Sequence, residues 1–288
     1  MQASTLQPPG AALSADVPER AANGGVLLPV MTLTRREIVR FLRQRNRVVG
    51  ALLQPLIFWV LFGAAFTKSF KPPEGSPPDM SYQEYFFPGT VVMILLFTAI
   101  FSTISIIEDR KEGFLQSVLV APISPLTMVM GKILGGTILA MMQGVLFLVL
   151  ALTIPSITIT PLMFVEALAV MFVIAFALTG LGFMIAWRME STQGFHAIMS
   201  VFLLPMWLLS GALFPAKGVP VWLGAMITIN PLTYGLAAFR HILYSASAHP
   251  PTDLPDFKLS LSITVAFGVA TLLGASFMAK ARTRADLQ

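Results

Sequence analysis

Long apolar runs separated by short polar segments dominate the hydrophobic pattern of this chain. An apolar helix needs about 20 residues to cross a hydrocarbon layer of about 30 Å. Six runs reach that length, so the pattern predicts six transmembrane helices. Their expected bounds are residues 48–67, 86–107, 130–153, 162–186, 195–214 and 259–279.

The fold class follows from the continuity of these runs. Strands of a transmembrane barrel alternate apolar and polar residues in segments of about ten, and the runs here are uninterrupted. The chain is 56% hydrophobic and 11% charged, whereas soluble domains carry about 25% charged residues. We therefore expect an all-α polytopic membrane protein.

The segment before the first run divides into two parts. Residues 1–29 are rich in Ala, Pro, Gly and Ser, which predicts a disordered tail. Residues 30–47 place apolar side chains on one side of a helix and six arginines around the rest. This pattern predicts an amphipathic helix in the membrane interface. A basic flank that only orients the first span is the alternative.

A charged loop joins the second and third spans. Glu108, Asp109, Arg110, Lys111 and Glu112 stand in a row, followed by Gly113, Phe114 and Leu115. Charged groups are costly in hydrocarbon, so the loop is expected at the membrane surface. There it forms a short helix, begun by its acidic residues, that offers a docking face to a separate soluble subunit.

The segment between the last two spans is long and only partly polar. Its two apolar stretches are each too short to cross, and Asn230-Pro231 separates them. We predict an outer re-entrant helical hairpin over residues 216–245, with two helices lying flat on the outer surface as the alternative.

Lys and Arg lie mainly on one side of the predicted spans, which predicts cytoplasmic termini, including a tail at residues 281–288. Loops 108–129 and 187–194 then face the cytoplasm as well. The formal net charge of +5 fits anionic lipid headgroups better than nucleic acid.

Candidate chemistry inside the membrane is sparse. Lys132 either extends to the headgroups or pairs with the Glu108–Glu112 acids, and Glu166 is either interfacial or functional. With no cysteine, three histidines and no H-E-x-x-H, a metal site is not expected. An intramembrane lipid-processing enzyme or a secondary transporter remains an alternative function, although convergent polar groups for either are lacking.

Three segments carry a recognisable pattern: YFFPGTVVMILLF (85–97), SIIEDRKEGFLQSVLVAPISPLTMVMGKIL (105–134), and LSGALFP (209–215) with NPLTYGLAAFR (230–240). In this order, with six spans, they resemble the permease subunits of ABC-2 type exporters, in the branch that exports drugs, lipooligosaccharides and polysaccharides. No G-x-x-x-x-G-K-[ST] loop is present, so ATP is expected on another polypeptide.

The resemblance implies a permease in the cytoplasmic (inner) membrane that works as a dimer with a second or homologous copy. Two soluble ATPase subunits carry the ATP and Mg, so no cofactor is expected in this chain, which is a transporter subunit and no enzyme. Its cargo would be a hydrophobic, amphipathic or lipid-linked molecule moved outward. The implied ATPase-coupling residues are Arg36, Arg40, Glu108, Asp109, Arg110, Lys111, Glu112, Gly113, Phe114 and Leu115; the translocation path has Phe97, Phe101, Phe202, Met206 and Trp207; the outer re-entrant cap has Asn230, Pro231, Tyr234 and Arg240.

Overall fold

A computed structural model describes residues 26–72, 80–120, 123–154, 159–214, 219–245 and 254–285, and the regular structure within them is helical. The helices are α1 (Leu27–Leu42), α2 (Arg45–Phe66), α3 (Tyr82–Ser102), α4 (Ile104–Lys111), α5 (Phe114–Val120), α6 (Pro125–Leu148), α7 (Pro161–Arg188), α8 (Thr192–Trp207), α9 (Val221–Ile229), α10 (Pro231–Leu243) and α11 (Phe257–Ala285).

Six helical segments in the described residues are long and apolar enough to cross a membrane, which confirms the predicted number. They cover Val48–Phe66, Tyr82–Lys111, Pro125–Leu152, Pro161–Arg188, Thr192–Ala212 and Phe257–Ala281. The second segment joins α3 and α4. The third ends in the 3-10 turn Val149–Thr153, and the fifth ends in the π-helical turn Leu208–Ala212.

The second span lies at the centre of the bundle. In its most apolar window 83% of residues are buried, against 12% for the first span and 22% for the sixth. Helix α3 packs against α2, α6 and α7. Gly144 of α6 permits part of this packing, because a Cβ there would lie 2.7 Å from a Leu95 methyl group. The outer surfaces of α2 and α11 are left for lipid or other chains.

Pro88 interrupts the hydrogen bonding of α3. Proline has no N–H, so the carbonyl four residues earlier loses its helical donor. That carbonyl belongs to Glu84, and the Tyr244 hydroxyl donates to it at 2.8 Å. Arg240 Nη2 donates to the neighbouring Tyr85 carbonyl at 3.3 Å. The proline thereby leaves the Glu84 carbonyl free to accept from Tyr244, the residue after α10.

Helices α9 and α10 form a pair bent by 79°. Asn230 makes the bend: its Oδ1 accepts from Leu232 N at 3.0 Å, capping α10, and its Nδ2 donates to the Met206 carbonyl at 2.6 Å. Helix α10 packs against α7, α11 and α3, so this half of the pair is part of the helix bundle. The re-entrant position of the pair relative to a membrane stays a prediction.

Several predicted boundaries differ from the structure, most clearly near the two ends of the chain. The N-terminal helix covers Leu27–Leu42, whereas we expected residues 30–47, and a break at Arg43 and Gln44 puts the later arginines into α2. Both predicted tails are therefore shorter than expected. Helix α1 begins at Leu27, within the predicted N-terminal tail, and α11 continues to Ala285, within the predicted C-terminal tail. The rest of the N-terminal tail, residues 1–25, lies outside the described residues.

Candidate functional site

A cluster of charged side chains joins α1, α4 and α6 at one end of the bundle. At its centre Lys132 Nζ donates to Glu37 Oε1 at 2.6 Å and also contacts Asp109 Oδ2. All three side chains are buried, and Asp109 has no exposed surface. Buried charges are stable only when paired, so these contacts hold the three helices in one arrangement. We call Arg36, Glu37, Arg40, Asp109 and Lys132 the ionic cluster.

Two arginines of α1 complete the cluster. Arg36 binds Asp109 in a bidentate manner, with Nη1–Oδ2 at 2.9 Å and Nη2–Oδ1 at 2.6 Å. Arg40 donates to Asp109 Oδ1 at 2.5 Å and also reaches Glu108 and Glu112 at 3.0 and 3.1 Å. Paired charges of this kind are geometrically specific. They fix the orientation of α1 relative to α4.

Arg36 also connects the cluster to the short helix α5. Its guanidinium carbon lies 3.6 Å from the centre of the Phe114 ring, within the range of a cation–π interaction. Burial alone would lower the pKa of Arg36, but the hydrogen bond and charge of Asp109 outweigh burial and raise it. Arg36 therefore stays charged and links α1, α4 and α5 through one side chain.

Arg110 points to a different neighbour. Its Nη1 and Nη2 donate to the carbonyls of Met189 and Trp187 at 2.8 and 2.7 Å. These carbonyls lie at the C-terminal end of α7, where helical donors are missing and a positive charge is favoured. Arg110 thus ties the C-terminal end of α4 to the C-terminal end of α7.

Close packing of α1 on α6 depends on two glycines. A Cβ at Gly131 would lie 2.7 Å from the Leu33 Cβ, and one at Gly135 would lie 2.7 Å from the Glu37 Cβ. Only hydrogen fits at these distances. The Thr34 hydroxyl donates to the Gly131 carbonyl at 3.1 Å. The glycines bring the backbones close enough for Glu37 to reach Lys132.

The structure corrects several sequence-based expectations for this region. Asp109 and Leu115 are buried, so neither offers a docking surface; Asp109 instead binds the arginines of α1. Residues 108–111 lie at the C-terminal end of α4, so they do not begin the short helix. Lys132 does not extend to the headgroups, and the ion-pair alternative is the one observed, with Asp109 as its partner in the acidic run.

Glu37 is a functional candidate that the sequence reasoning missed. It shares a helical face with the buried residues Val30, Leu33, Thr34 and Phe41. A carboxylate on the apolar face of a basic helix is the signal that could have revealed it. Among the described residues from the end of α4 through α5, Lys111, Glu112, Gln116 and Ser117 are exposed. They form the accessible face of the α4–α5 connection, which turns at Gly113 with φ 76°.

A cavity of about 200 Å³ includes Phe41 of α1 and Ile104 of α4 in its lining. Two of the predicted path residues, Phe97 and Phe101, line it with ring centroids 5.7 Å apart, and His196 lies 5.3 Å from Phe101. We call it the ring-lined cavity, and none of its lining residues carries a formal charge with histidine neutral. They are Phe41, Gly50, Gln54, Pro55, Met93, Phe97, Thr98, Phe101, Ile104 and His196.

The other predicted path residues lie elsewhere. Phe202 is 47% exposed on α8 and, with Met206, borders an apolar groove between α8 and α9. Trp207 is 1% exposed, and its Nε1 donates to the Gly89 carbonyl at 2.8 Å. Trp207 therefore packs inside the chain and is removed from the path candidates; for the other four that role stays a prediction.

The four predicted cap residues lie in or beside the α9–α10 bend. Asn230 and Pro231 form the bend itself, and the Tyr234 hydroxyl donates to the Thr228 carbonyl at 2.9 Å. Arg240 is buried, with its guanidinium carbon 4.3 Å from the Tyr85 ring centre. Each of Asn230, Tyr234 and Arg240 fixes the hairpin internally or onto α3 and α8. Glu166, by contrast, is exposed on α7 and converges with no other candidate.

Comparison with known proteins identifies relatives of this chain. A transport permease of Cyanophora paradoxa, ycf38, is 28% identical over 221 residues, covering 76% of this chain and 75% of the relative. An inner membrane transport permease of Escherichia coli, YadH, is 23% identical over 207 residues, covering 72% and 79%. The E. coli protein YbhR, named as a multidrug ABC transporter permease, is 27% identical over 162 residues, covering 54% and 43%.

The model of the ABC-2 type transporter family matches residues 29–244. This range contains the ionic cluster, the ring-lined cavity and the α9–α10 hairpin. The match also agrees with the six membrane-spanning helices of the fold. The chain belongs to the ABC-2 type transporter family, as a membrane transport permease.

Proposed function

We propose that this chain is the transmembrane subunit of an ATP-driven exporter in the cytoplasmic membrane. Two copies of a soluble ATPase would bind a dimer of this permease, or a dimer with a homologous permease. The cargo would be a hydrophobic, amphipathic or lipid-linked molecule moved outward. The ATPase partner is supported by the family, and one relative, YbhR, is named as a multidrug permease.

The ionic cluster is the observation that carries this proposal. Its buried ion pairs connect the exposed α4–α5 surface to α1 and α6, so a force on that surface reaches two further helices. Buried pairs resist separation, because an uncompensated buried charge costs several kcal/mol. A soluble ATPase that moves α5 would therefore move α1 and α4 as one unit. Closing of the ATPase subunits would in this way reach the membrane helices.

The ring-lined cavity fits the start of a substrate path. It borders α1 and α4, which carry the cluster, and it also contacts α2, α3 and α8. Ligand sites are mostly apolar with few polar groups, as this cavity is. Coupled motion of α1 and α4 would change its walls, Phe41 and Ile104.

The coupling role can be tested by co-reconstituting this permease in liposomes with a soluble ABC ATPase subunit of the same organism. The charge reversal Lys111→Glu inverts one exposed charge and leaves the contact of Glu112 with Arg40 in place. We expect binding to weaken about fivefold, equivalent to roughly 1 kcal/mol for exposed charge pairs. Lys258→Glu, at the exposed start of α11, serves as the control.

The variant Arg36→Gln distinguishes binding of the ATPase from transmission of its movement to the membrane helices. Arg36 contacts both Asp109 and Phe114, so its loss should leave the ATPase bound while reducing the stimulation of ATP hydrolysis by the permease. Failure of the unmodified permease to bind or stimulate the ATPase would refute the proposed function.

Orientation is tested separately, because the chain has no native cysteine. We expect Glu112→Cys to react with an impermeant thiol reagent only from the cytoplasmic side. Lys258→Cys should react only from the outer side. The reverse pattern would place the ionic cluster outside the cell and exclude a cytoplasmic ATPase as its partner.

A further inference from the structure

A buried polar pair lies between the second and third spans. The Thr98 hydroxyl of α3 donates to Oε1 of Gln143 of α6 at 2.6 Å. The two residues are 3% and 5% exposed. Polar side chains within membrane spans are costly and commonly functional. This pair therefore calls for a role beyond joining two helices.

Gln143 keeps an unusual feature in this arrangement. Its Nε2 is buried and has no hydrogen-bond partner among the residues that the structure describes. An unsatisfied buried donor destabilises a protein, and such groups call for an explanation. Other buried threonines here, such as Thr90 and Thr137, donate to the carbonyl four residues earlier. Thr98 instead donates to the Gln143 side chain.

Thr98 also lines the ring-lined cavity, whereas Gln143 does not. A threonine hydroxyl has one hydrogen to donate and two lone pairs that accept. Because Gln143 Oε1 takes the hydrogen, a molecule in the cavity that reaches the Thr98 oxygen can bond to it only as a donor. Gln143 thus determines the hydrogen-bonding character of a wall that it does not itself form.

The remaining lining residues define the rest of a matching ligand. The aromatic wall of Phe97, Phe101 and His196 suits the stacking of a planar ring. A volume of about 200 Å³ is somewhat larger than the ~150 Å³ cavity known to hold benzene. The lining residues carry no formal charge with histidine neutral, so an anionic group would find no cationic partner among them.

We propose that Gln143 is a specificity-determining residue that acts through Thr98. It makes the ring-lined cavity select aromatic amphipathic molecules that carry an N–H or O–H donor. This inference rests on the proposed function only for calling such a molecule a substrate. Binding itself is measured without the ATPase, so the two proposals can fail independently.

The test uses a single reporter cysteine in this cysteine-free chain. Gly50 lines the cavity, and a Cβ there meets no atom within 4 Å, so Gly50→Cys adds a thiol without a clash. Its reaction with monobromobimane is followed for the purified permease in lipid nanodiscs. A cysteine at Leu53, on the same helix but outside the cavity lining, is the matched control.

Three ligands of nearly equal shape act as probes. N-phenyl-1-naphthylamine carries an N–H donor, 1-benzylnaphthalene has a methylene in its place, and phenyl 1-naphthyl ketone has an acceptor. We expect the amine to protect Gly50→Cys at about fivefold lower concentration than the other two, the equivalent of one net hydrogen bond. Equal protection by all three, protection of the Leu53 control alone, or no protection would overturn the proposal.

Substitutions of the polar pair provide the second comparison. Thr98→Val should abolish the preference for the amine over the methylene compound, while Thr98→Ser should keep it. Gln143→Met has a similar volume and frees the Thr98 hydrogen, so protection by the ketone should improve until it equals that by the amine. If the polar pair had a purely structural role, its substitution would weaken the binding of all three ligands alike. An unchanged order of protection by the three ligands in Gln143→Met would refute the assignment of Gln143 as a specificity-determining residue.

Discussion

Replacing Lys132 with methionine tests whether the ionic cluster holds α1 onto the bundle. The change removes the buried cation shared by Glu37 and Asp109 while keeping an unbranched side chain of similar size. Asp109 keeps Arg36 and Arg40, and Glu37 keeps an Arg36 contact at 3.1 Å. The Glu37 carboxylate loses its 2.6 Å partner in a site where only 6% of its side chain is exposed.

The magnitude follows from this burial. Removing one partner of a buried ion pair costs about 3–5 kcal/mol, because the remaining charge stays away from water. Since arginines still contact both carboxylates, we expect about 3 kcal/mol, the lower end. Replacing both partners with neutral groups is often nearly neutral. The double variant Glu37→Gln, Lys132→Met should therefore recover most of the loss.

The assay is equilibrium unfolding of the purified permease in mixed micelles, with the single and double variants compared. Lys280→Met is the control, since Lys280 is exposed and surface changes stay within about 0.5 kcal/mol. A cost below about 1 kcal/mol for Lys132→Met would show that the pair behaves as an exposed surface pair. A double variant no more stable than Lys132→Met would likewise contradict the reasoning.

Three further predictions concern packing and the hairpin. Gly135→Ala should destabilise the chain by about 1–3 kcal/mol through overpacking against Glu37, which is measured as a lower temperature of thermal aggregation. Gly50→Ala is the control and should have no such effect. Equal effects of the two variants would refute the close approach of α1 to α6. Tyr244→Phe should lower the free energy of unfolding by about 1 kcal/mol. In a Pro88→Ala background it should lower it by almost nothing, because the restored backbone N–H donates to the Glu84 carbonyl. An equal cost in both backgrounds would refute the role of Pro88. Trp207→Phe should lower stability but preserve ligand preference in the thiol assay, since Trp207 donates to Gly89 and is not among the residues that line the ring-lined cavity; a changed preference would return it to the path.

The number of spans followed from sequence because it depends on local properties. A helix in hydrocarbon satisfies its own backbone hydrogen bonds, so run length and continuity decide how many helices cross. The α9–α10 bend was foreseeable for a similar reason. Asn230-Pro231 combines a helix cap with a residue that favours the first turn of a new helix.

Some boundaries failed because neighbours decide them. The basic pattern continues through residue 47, yet the helix breaks at Arg43 and Gln44. Phe41 is the last buried residue on the face of α1 that packs against α6. Amphipathic periodicity shows which residues share a face, but it does not show where the surface that covers that face stops.

The ionic cluster was decided by tertiary structure. Lys132 lies 95 residues from Glu37 and 23 from Asp109 in the chain. From the sequence alone, many acidic residues could pair with this lysine, and only the packing of the helices selects among them. Burial separates Asp109 from its exposed neighbour Lys111, although the sequence presents both in one charged run. The sequence by itself determined that the chain crosses a membrane and where charge accumulates. Only packing decided which charges are paired inside and which face outward, because that depends on how closely glycine-lined helices approach one another.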